Sequence, residues 1–193
     1  MLKRLVFGIG LMAVGVIGPA LPAVAQSTDA SQMSAEELEN LFKRQKTRGL
    51  VLAPTSQAAT AAATTPDTAP ATANTTYVEL APEEQVNIQI SFDFDSASLR
   101  DDQKPKLATL CQVMKTADVG LFRIVGHTDS SGSASYNEKL SLLRAQEVKR
   151  YLSGDCGIAA ERLEAVGVGE QFPIDKADPR GDANRRVEFQ ALS

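Results

Sequence analysis

The sequence predicts an α+β fold for residues 77–193, a two-layer β-α-β-α-β-β sandwich with helices on one face of a mixed sheet. Residues 86–94 alternate apolar and polar side chains, which is typical of a half-buried strand. Residues 121–126 form a short apolar run, which is typical of a strand buried on both faces. Helical patterns follow each of these strands, and about 115 residues are enough for one hydrophobic core.

Local signals place the remaining elements. The first helix of the domain is predicted to begin at Asp101 or Asp102, to hold Pro105 in its first turn and to end near Ala117. The second helix is predicted over residues 135–152. Two further strands are predicted over residues 163–168 and 187–191.

The first 25 residues indicate a secretory signal peptide. Lys3 and Arg4 precede an uncharged apolar run, and Ala23-Val24-Ala25 has the small residues of a cleavage site. Because the run is short for a membrane span, we expect cleavage after Ala25 and export to a bacterial periplasm. An uncleaved segment that stays as a membrane anchor is the alternative.

Residues 26–52 are predicted to hold one short helix, from about Ser34 to Arg48. It begins with the capping-box spacing Ser34-Ala35-Glu36-Glu37. Its apolar stripe consists of Leu38, Leu41 and Phe42. This stripe permits two interpretations, a docking or self-association helix and a solvated, fraying helix, and the sequence slightly favours the second.

Residues 53–76 are predicted to be a disordered linker. Nine Ala, eight Thr and three Pro stand among these 24 residues, and Asp67 is the single charge. Such a composition cannot bury enough apolar surface to offset the entropy of ordering. We interpret the segment as a tether between the folded domain and whatever the N-terminal segment touches.

The composition argues against several kinds of site. The 193 residues include a single His, so one chain cannot build a zinc site from two or three imidazoles. We expect no metal and no cofactor. The formal net charge of −4 at pH 7 argues against nucleic acid as a partner.

The two cysteines, Cys111 and Cys156, can form a disulfide in an oxidising compartment. The alternative is that Cys111 is a buried small apolar residue, because it lies on one helical stripe with Leu107, Leu110 and Met114. In either case the role would be structural.

The second helix of the domain, predicted over residues 135–152, carries a charged residue on its apolar side. Arg144 lies at heptad spacing from Asn137 and Tyr151, where a guanidinium is costly without a partner. Asp129, in the Gly-containing loop after the second strand, offers one. The two groups could pair with each other, or they could hold the carboxylate and the ammonium of a zwitterion.

Several motifs together resemble the OmpA C-terminal-like domain. They are Gly126-His127-Thr128-Asp129-x-x-Gly132, Tyr136-Asn137-x-x-Leu140-Ser141-x-x-Arg144-Ala145, Gly167-x-Gly169-Glu170-x-x-Pro173 and Asn184-Arg185-Arg186-Val187. The resemblance covers about residues 86–192. One departure, Arg180-Gly181-Asp182-Ala183, puts the shape of the loop before Asn184 in doubt.

The resemblance implies non-covalent binding of peptidoglycan, through the zwitterionic head of meso-diaminopimelate in the stem peptide. Asp129 would take the ammonium and Arg144 the carboxylate. Further ligand-binding positions would be Thr128, Asn137, Asp95 and Arg185. The implied location is the periplasm, associated with peptidoglycan at the cell outer membrane, and an envelope protein could bind the N-terminal segment.

Two other classes of function stay open in the sequence. A wall hydrolase could use Asp93 and Asp95 as paired carboxylates, or His127 beside Asp129, but no nucleophile or substrate-cleft motif accompanies them. A scaffold protein could act through the 34–48 helix. We expect a binding protein rather than an enzyme, and the oligomeric state is not predicted.

Overall fold

The computed structural model describes residues 29–47, 77–93 and 96–192; the predicted signal peptide (1–25) and the predicted linker (53–76) lie outside them. The described helices and strands are α1 (Ala35–Thr47), β1 (Val86–Ile88), α2 (Ala108–Thr116), β2 (Leu121–Gly126), α3 (Ala134–Gly154), β3 (Leu163–Gly167) and β4 (Val187–Leu192). Short 3-10 turns lie between several of them. The predicted α+β fold is confirmed.

The four strands form one mixed sheet in the order β1-β4-β2-β3. Strands β2 and β3 are parallel and are joined through α3, while β4 runs antiparallel to both β1 and β2. The parallel pair brings the carboxyl ends of β2 and β3 to one edge, where the loop after β2 begins.

One face of the sheet carries the apolar core and the helices. Phe122, Ile124 and Phe189 are buried there. Helix α3 lies close against this face at Gly126 and Gly167, because a Cβ at either position would overlap its backbone at Ser141 or Leu142. Both glycines are therefore required by the close approach of helix and sheet.

Helix α1 packs into the same core. The predicted capping box forms, since the Ser34 N–H donates to Glu37 Oε2 at 2.8 Å and the Glu37 N–H donates to Ser34 Oγ at 3.3 Å. Leu38 and Phe42 are fully buried, and the Phe42 ring meets the Phe122 ring edge-on at 5.1 Å. The preference for a solvated helix is wrong, because the apolar stripe packs against β4 and α2.

The opposite face of the sheet is covered by Tyr77–Leu80, which we call the strap. The Val78 carbonyl accepts a hydrogen bond from Gln190 Nε2 at 2.9 Å, and the Leu80 carbonyl accepts one from Gln85 Nε2 at 2.8 Å. Glu188 and Gln190 of β4 are fully buried beneath it. Strand β4 is therefore buried on both faces, although its sequence alternates.

Two element boundaries differ from the predictions. Strand β1 ends at Ile88 rather than at residue 94, because only residues 86–88 pair with β4. Helix α2 begins at Ala108, after a 3-10 turn over Lys104–Leu107 that has no side-chain cap. Asp102, a predicted cap, instead pairs with Arg100 at 2.9 Å.

The structure joins Cys111 to Cys156 in a disulfide, with Cα atoms 5.7 Å apart. This bond ties α2 to the turn after α3. The separation of 45 residues corresponds to a stabilisation of about 4 kcal/mol through restriction of the unfolded chain. Among the described helices, none combines the length and apolar character that crossing a membrane requires.

Candidate functional site

An open pocket of about 220 Å³ lies between the end of β1, helix α3 and the turn before β4. Among the described residues it is lined by Gln89, Ile90, Ser91, Phe92, Arg144, Asp182 and Arg185. Two of the predicted site residues, Arg144 and Arg185, are thus part of its wall. Asp95 lies outside the described residues.

Arg144 projects from α3 into a largely buried position. Its guanidinium carbon lies 4.7 Å from the centre of the Phe92 ring, and its Nε donates to the Ser96 carbonyl at 3.3 Å. Burial lowers the pKa of this guanidinium, and the Arg185 charge acts in the same direction. Within the described residues no carboxylate forms an ion pair with Arg144, which leaves the group suited to a carboxylate ligand.

Asp129 is held in the loop between β2 and α3. Its Oδ1 accepts the Ser131 N–H and its Oδ2 accepts Arg185 Nη1, both at 2.8 Å. Burial would raise the pKa of Asp129, but these hydrogen bonds outweigh it and hold the pKa below its ordinary value. The carboxylate is ionised at neutral pH, and its partner is Arg185, not Arg144.

Arg185 links Asp129 to the rim of the pocket. Its other terminal nitrogen pairs with the carboxylate of Asp182, and 40% of its side chain is exposed. The hydrogen bond with Asp129 raises the pKa of Arg185, opposed by burial. Two guanidinium groups and the Asp182 carboxylate therefore line this pocket, and the Asp129 carboxylate lies next to it, bound to Arg185. This arrangement of both charges complements a ligand that carries both charges.

Thr128 and Asn137 lie behind the loop. The Asn137 amide donates to the Ser131 carbonyl at 3.0 Å and also to the Glu170 carboxylate, and only 2% of Asn137 is exposed. Thr128 is likewise buried, and its backbone N–H donates to the Gly169 carbonyl at 2.9 Å. We therefore assign both residues to the support of the loop rather than to the pocket wall.

His127 and Asp93 are placed away from any catalytic arrangement. The His127 ring is 2% exposed, and its Nε2 lies 3.2 Å from the buried Glu188 carboxylate. Asp93 pairs with the exposed Arg100 at 3.2 Å. The structure brings neither residue together with a nucleophile in the part of the chain that it describes.

Sequence reasoning missed two important members of the pocket. Phe92 had the spacing of an ordinary core residue in an alternating strand, so its position under Arg144 gave no signal. Asp182 stands in the segment that departs from the family motif, where it pairs with Arg185 and its backbone carbonyl accepts Gln89 Nε2 at 2.8 Å. The charged residues of that segment, Arg180 and Asp182, were the sequence signal that could have identified it.

Comparison with known proteins agrees with this fold. Residues 91–186 match the OmpA family. Outer membrane porin F of Pseudomonas aeruginosa is 38% identical over 108 residues, which are 55% of this chain and 31% of that protein. Outer membrane protein A of Bordetella avium is 36% identical over 108 residues, 55% of each chain.

Solved structures include two similar chains. The peptidoglycan-associated lipoprotein from Burkholderia pseudomallei is 33% identical, with 52% of this chain and 86% of that chain covered and a TM-score of 0.45. The cell wall anchor of the T6SS from Pseudomonas aeruginosa is 32% identical, with 56% and 80% covered and a TM-score of 0.47.

The fold and the sequence relatives define a class of envelope binding domain. This chain belongs to the OmpA family. At the level of that family, the OmpA-like relatives are structural peptidoglycan-binding proteins rather than enzymes. The chain spans about a third of the length of the porin F relatives that it matches.

Proposed function

We propose that this chain binds peptidoglycan non-covalently by holding the zwitterionic head of meso-diaminopimelate in the pocket between Arg144 and Asp129. The observation that carries the proposal is Arg144, a largely buried guanidinium whose partners among the described residues are a ring and a carbonyl. A ligand carboxylate would supply the opposite charge that this site lacks, in a charge-assisted hydrogen bond.

The ammonium of the same residue would bind Asp129. Arg185 already shares its charge between Asp129 and Asp182, so it can move toward Asp182 as an ammonium arrives. Thr128 and Asn137 would hold the loop in place. Arg185, which lies between Asp129 and Asp182, would reduce the repulsion between these two carboxylates. Asp95 remains a candidate ligand position from the motif alone.

The proposed location is the periplasm, bound to the wall close to the outer membrane. Its relatives include proteins named as outer membrane porins and outer membrane proteins. An envelope partner of the N-terminal segment would have to use a surface other than the apolar stripe of α1, because that stripe is buried in the domain.

Sedimentation with purified sacculi tests the proposal. We expect Arg144→Gln and Asp129→Asn each to weaken binding by a factor of roughly thirty or more, since each removes one member of a charge pair. Arg150→Gln is the matched control, because Arg150 is an exposed residue of α3 that pairs with Glu147. Circular dichroism checks that the variants are folded.

A second comparison tests the ligand itself. Sacculi in which lysine replaces meso-diaminopimelate lack the carboxylate that Arg144 would bind, so we expect them to retain much less of the protein. Equal retention on both kinds of sacculi, or unchanged binding by both pocket variants, would contradict the assignment.

A further inference from the structure

A buried polar network lies on the sheet face that the strap covers, and none of its members lines the pocket. Glu188 is its centre: Oε2 accepts the Tyr77 hydroxyl at 2.8 Å and lies 3.2 Å from His127 Nε2, while Oε1 accepts Gln190 Nε2 at 2.8 Å. His127, Glu188 and Gln190 are at most 2% exposed. The contacts of Glu188 with Tyr77, His127 and Gln190 fix the positions of these side chains, while His127 Nδ1 and Gln190 Oε1 have no hydrogen-bond partner among the described residues.

The network touches both partners of the Asp129–Arg185 pair through the backbone. His127 stands two residues before Asp129, and its N–H donates to the carbonyl of Arg186 at 3.0 Å. Arg186 directly follows Arg185, and its Nε donates to Asn87 Oδ1 at 3.0 Å. A displacement of the network would therefore move the two segments that carry the pair.

Tyr77 is the contribution of the strap to this network. Its ring lies 4.6 Å from the Phe172 ring and 5.9 Å from the His127 ring, centre to centre. The strap is held a second time by the hydrogen bond from Gln190 to Val78. In the sequence, Tyr77 directly follows the predicted 53–76 linker.

We propose that Tyr77 is a positioning residue for the wall-binding loop, acting through Glu188 and His127. It does not line the pocket, and its hydroxyl helps to fix the carboxylate on which His127 rests. This proposal rests on the proposed function and adds to it a residue outside the family motifs. When Tyr77 of the strap contacts Glu188, residues 127–132 adopt the conformation that binds peptidoglycan tightly.

The test uses the purified full chain and a muropeptide that carries meso-diaminopimelate. Tyr77→Phe removes the hydroxyl and keeps the ring. We expect it to weaken muropeptide binding about fivefold, the lower end of ordinary coupling between sites. Tyr151→Phe is the matched control, because it removes a hydroxyl from a ring that packs at the far end of α3.

The shift that muropeptide induces in the imidazole signals, measured by nuclear magnetic resonance, is a readout that a purely structural role of Tyr77 would not produce. The chain has one His, so its imidazole signals report on His127 alone. We expect muropeptide to shift those signals in the unaltered chain, although the ring is buried and does not line the pocket. We expect Tyr77→Phe to displace them before ligand is added, and Tyr151→Phe to leave them in place.

The outcomes separate the two proposals. If the unaltered chain does not bind muropeptide, the proposed function fails and this inference with it. If the unaltered chain binds, but Tyr77→Phe binds equally well or ligand leaves the His127 signals unmoved, this inference alone is overturned.

Discussion

At the scale of single residues, the site depends on how each charge is satisfied. Arg144 has aromatic and carbonyl partners, whereas Asp129 and Arg185 have each other. This difference makes Arg144 the group with the most to gain from an anionic ligand. The site therefore contains one ion pair, Asp129–Arg185, and one guanidinium, that of Arg144, with no ion-pair partner among the described residues.

The glycine at the end of β2 gives a prediction at this scale. Gly126→Ala should lower the free energy of unfolding by about 1–3 kcal/mol, because the added Cβ overlaps the Ser141 backbone of α3. Gly154→Ala is the control, since nothing lies within 4 Å of a Cβ there. Urea unfolding measures both, and equal stability of the two variants would contradict the close approach of α3.

At the scale of elements, helix α1 is a part of the folded domain. The Gln45 side chain shows how closely it is integrated: Nε2 donates to the Glu84 carbonyl at 2.7 Å, and Oε1 accepts the Ala191 N–H at 2.7 Å. That amide lies beyond the end of the β1–β4 pairing. The Gln45 side chain of α1 thus accepts a hydrogen bond from β4 at a residue that lies beyond the reach of the β1–β4 pairing.

Removing the largest apolar contact of α1 tests its contribution. Phe42→Ala should destabilise the protein by about 3–5 kcal/mol, because it leaves a cavity beside Phe122. Leu143→Ala serves for comparison, as Leu143 is 52% exposed on α3 and its loss should stay within about 0.5 kcal/mol. A Phe42→Ala protein as stable as Leu143→Ala would show that α1 adds little to the core.

At the scale of the whole molecule, residues 48–76 connect two parts of one body. Thr47 ends α1 and Tyr77 begins the strap, and both elements contact the same sheet. Helix α1 packs against β4 and α2, so the described residues on both sides of the predicted 53–76 linker belong to one packed body. The linker itself stays a prediction, and a partner tethered through it would have to bind the outer surface of α1 or residues before it.

Cutting the chain in this stretch should leave its two pieces together. With a protease site inserted beside Asp67, we expect both fragments to elute together in size-exclusion chromatography after cleavage. In denaturant they should separate, because the Cys111–Cys156 disulfide lies wholly in the second fragment. Separation under native conditions would contradict the packing of α1.

The pH dependence of stability is also a property of the whole fold. Burial lowers the pKa of His127 from its ordinary 6.5. Burial would raise the pKa of Glu188, but hydrogen bonds with His127, Gln190 and Tyr77 hold it below 4.5. For both groups the unfolded chain binds protons more readily, so the free energy of unfolding rises with pH.

We therefore expect full stability above pH 6.5, a first loss as the pH falls below 6.5 and a second loss below 4.5. Urea unfolding at about pH 7.5, 5.5 and 4 measures the two steps. In His127→Gln the first loss should be smaller. A first loss of undiminished size in that variant would assign it to another group.

Much of this fold could be predicted because the signals are local. The apolar run of β2, the helical pattern of α3 and the Ser34–Glu37 capping box each depend on neighbouring residues. The partners of Phe42 and of the strap could not be predicted, since Phe122 and Glu188 lie 80 and 111 residues further along the chain. Arg144 was identifiable from its place on an apolar stripe, but its contact with Phe92 depends on tertiary packing.

The bridge between Asp29 and Asn87 has a consequence for crowded copies of the protein. Strand β1 is an outer strand of the sheet, and its open side would otherwise present bare amides and carbonyls to a neighbour. The chain's own early residues occupy part of that side. A second copy of the protein that approached strand to strand along β1 would therefore find part of this edge already paired.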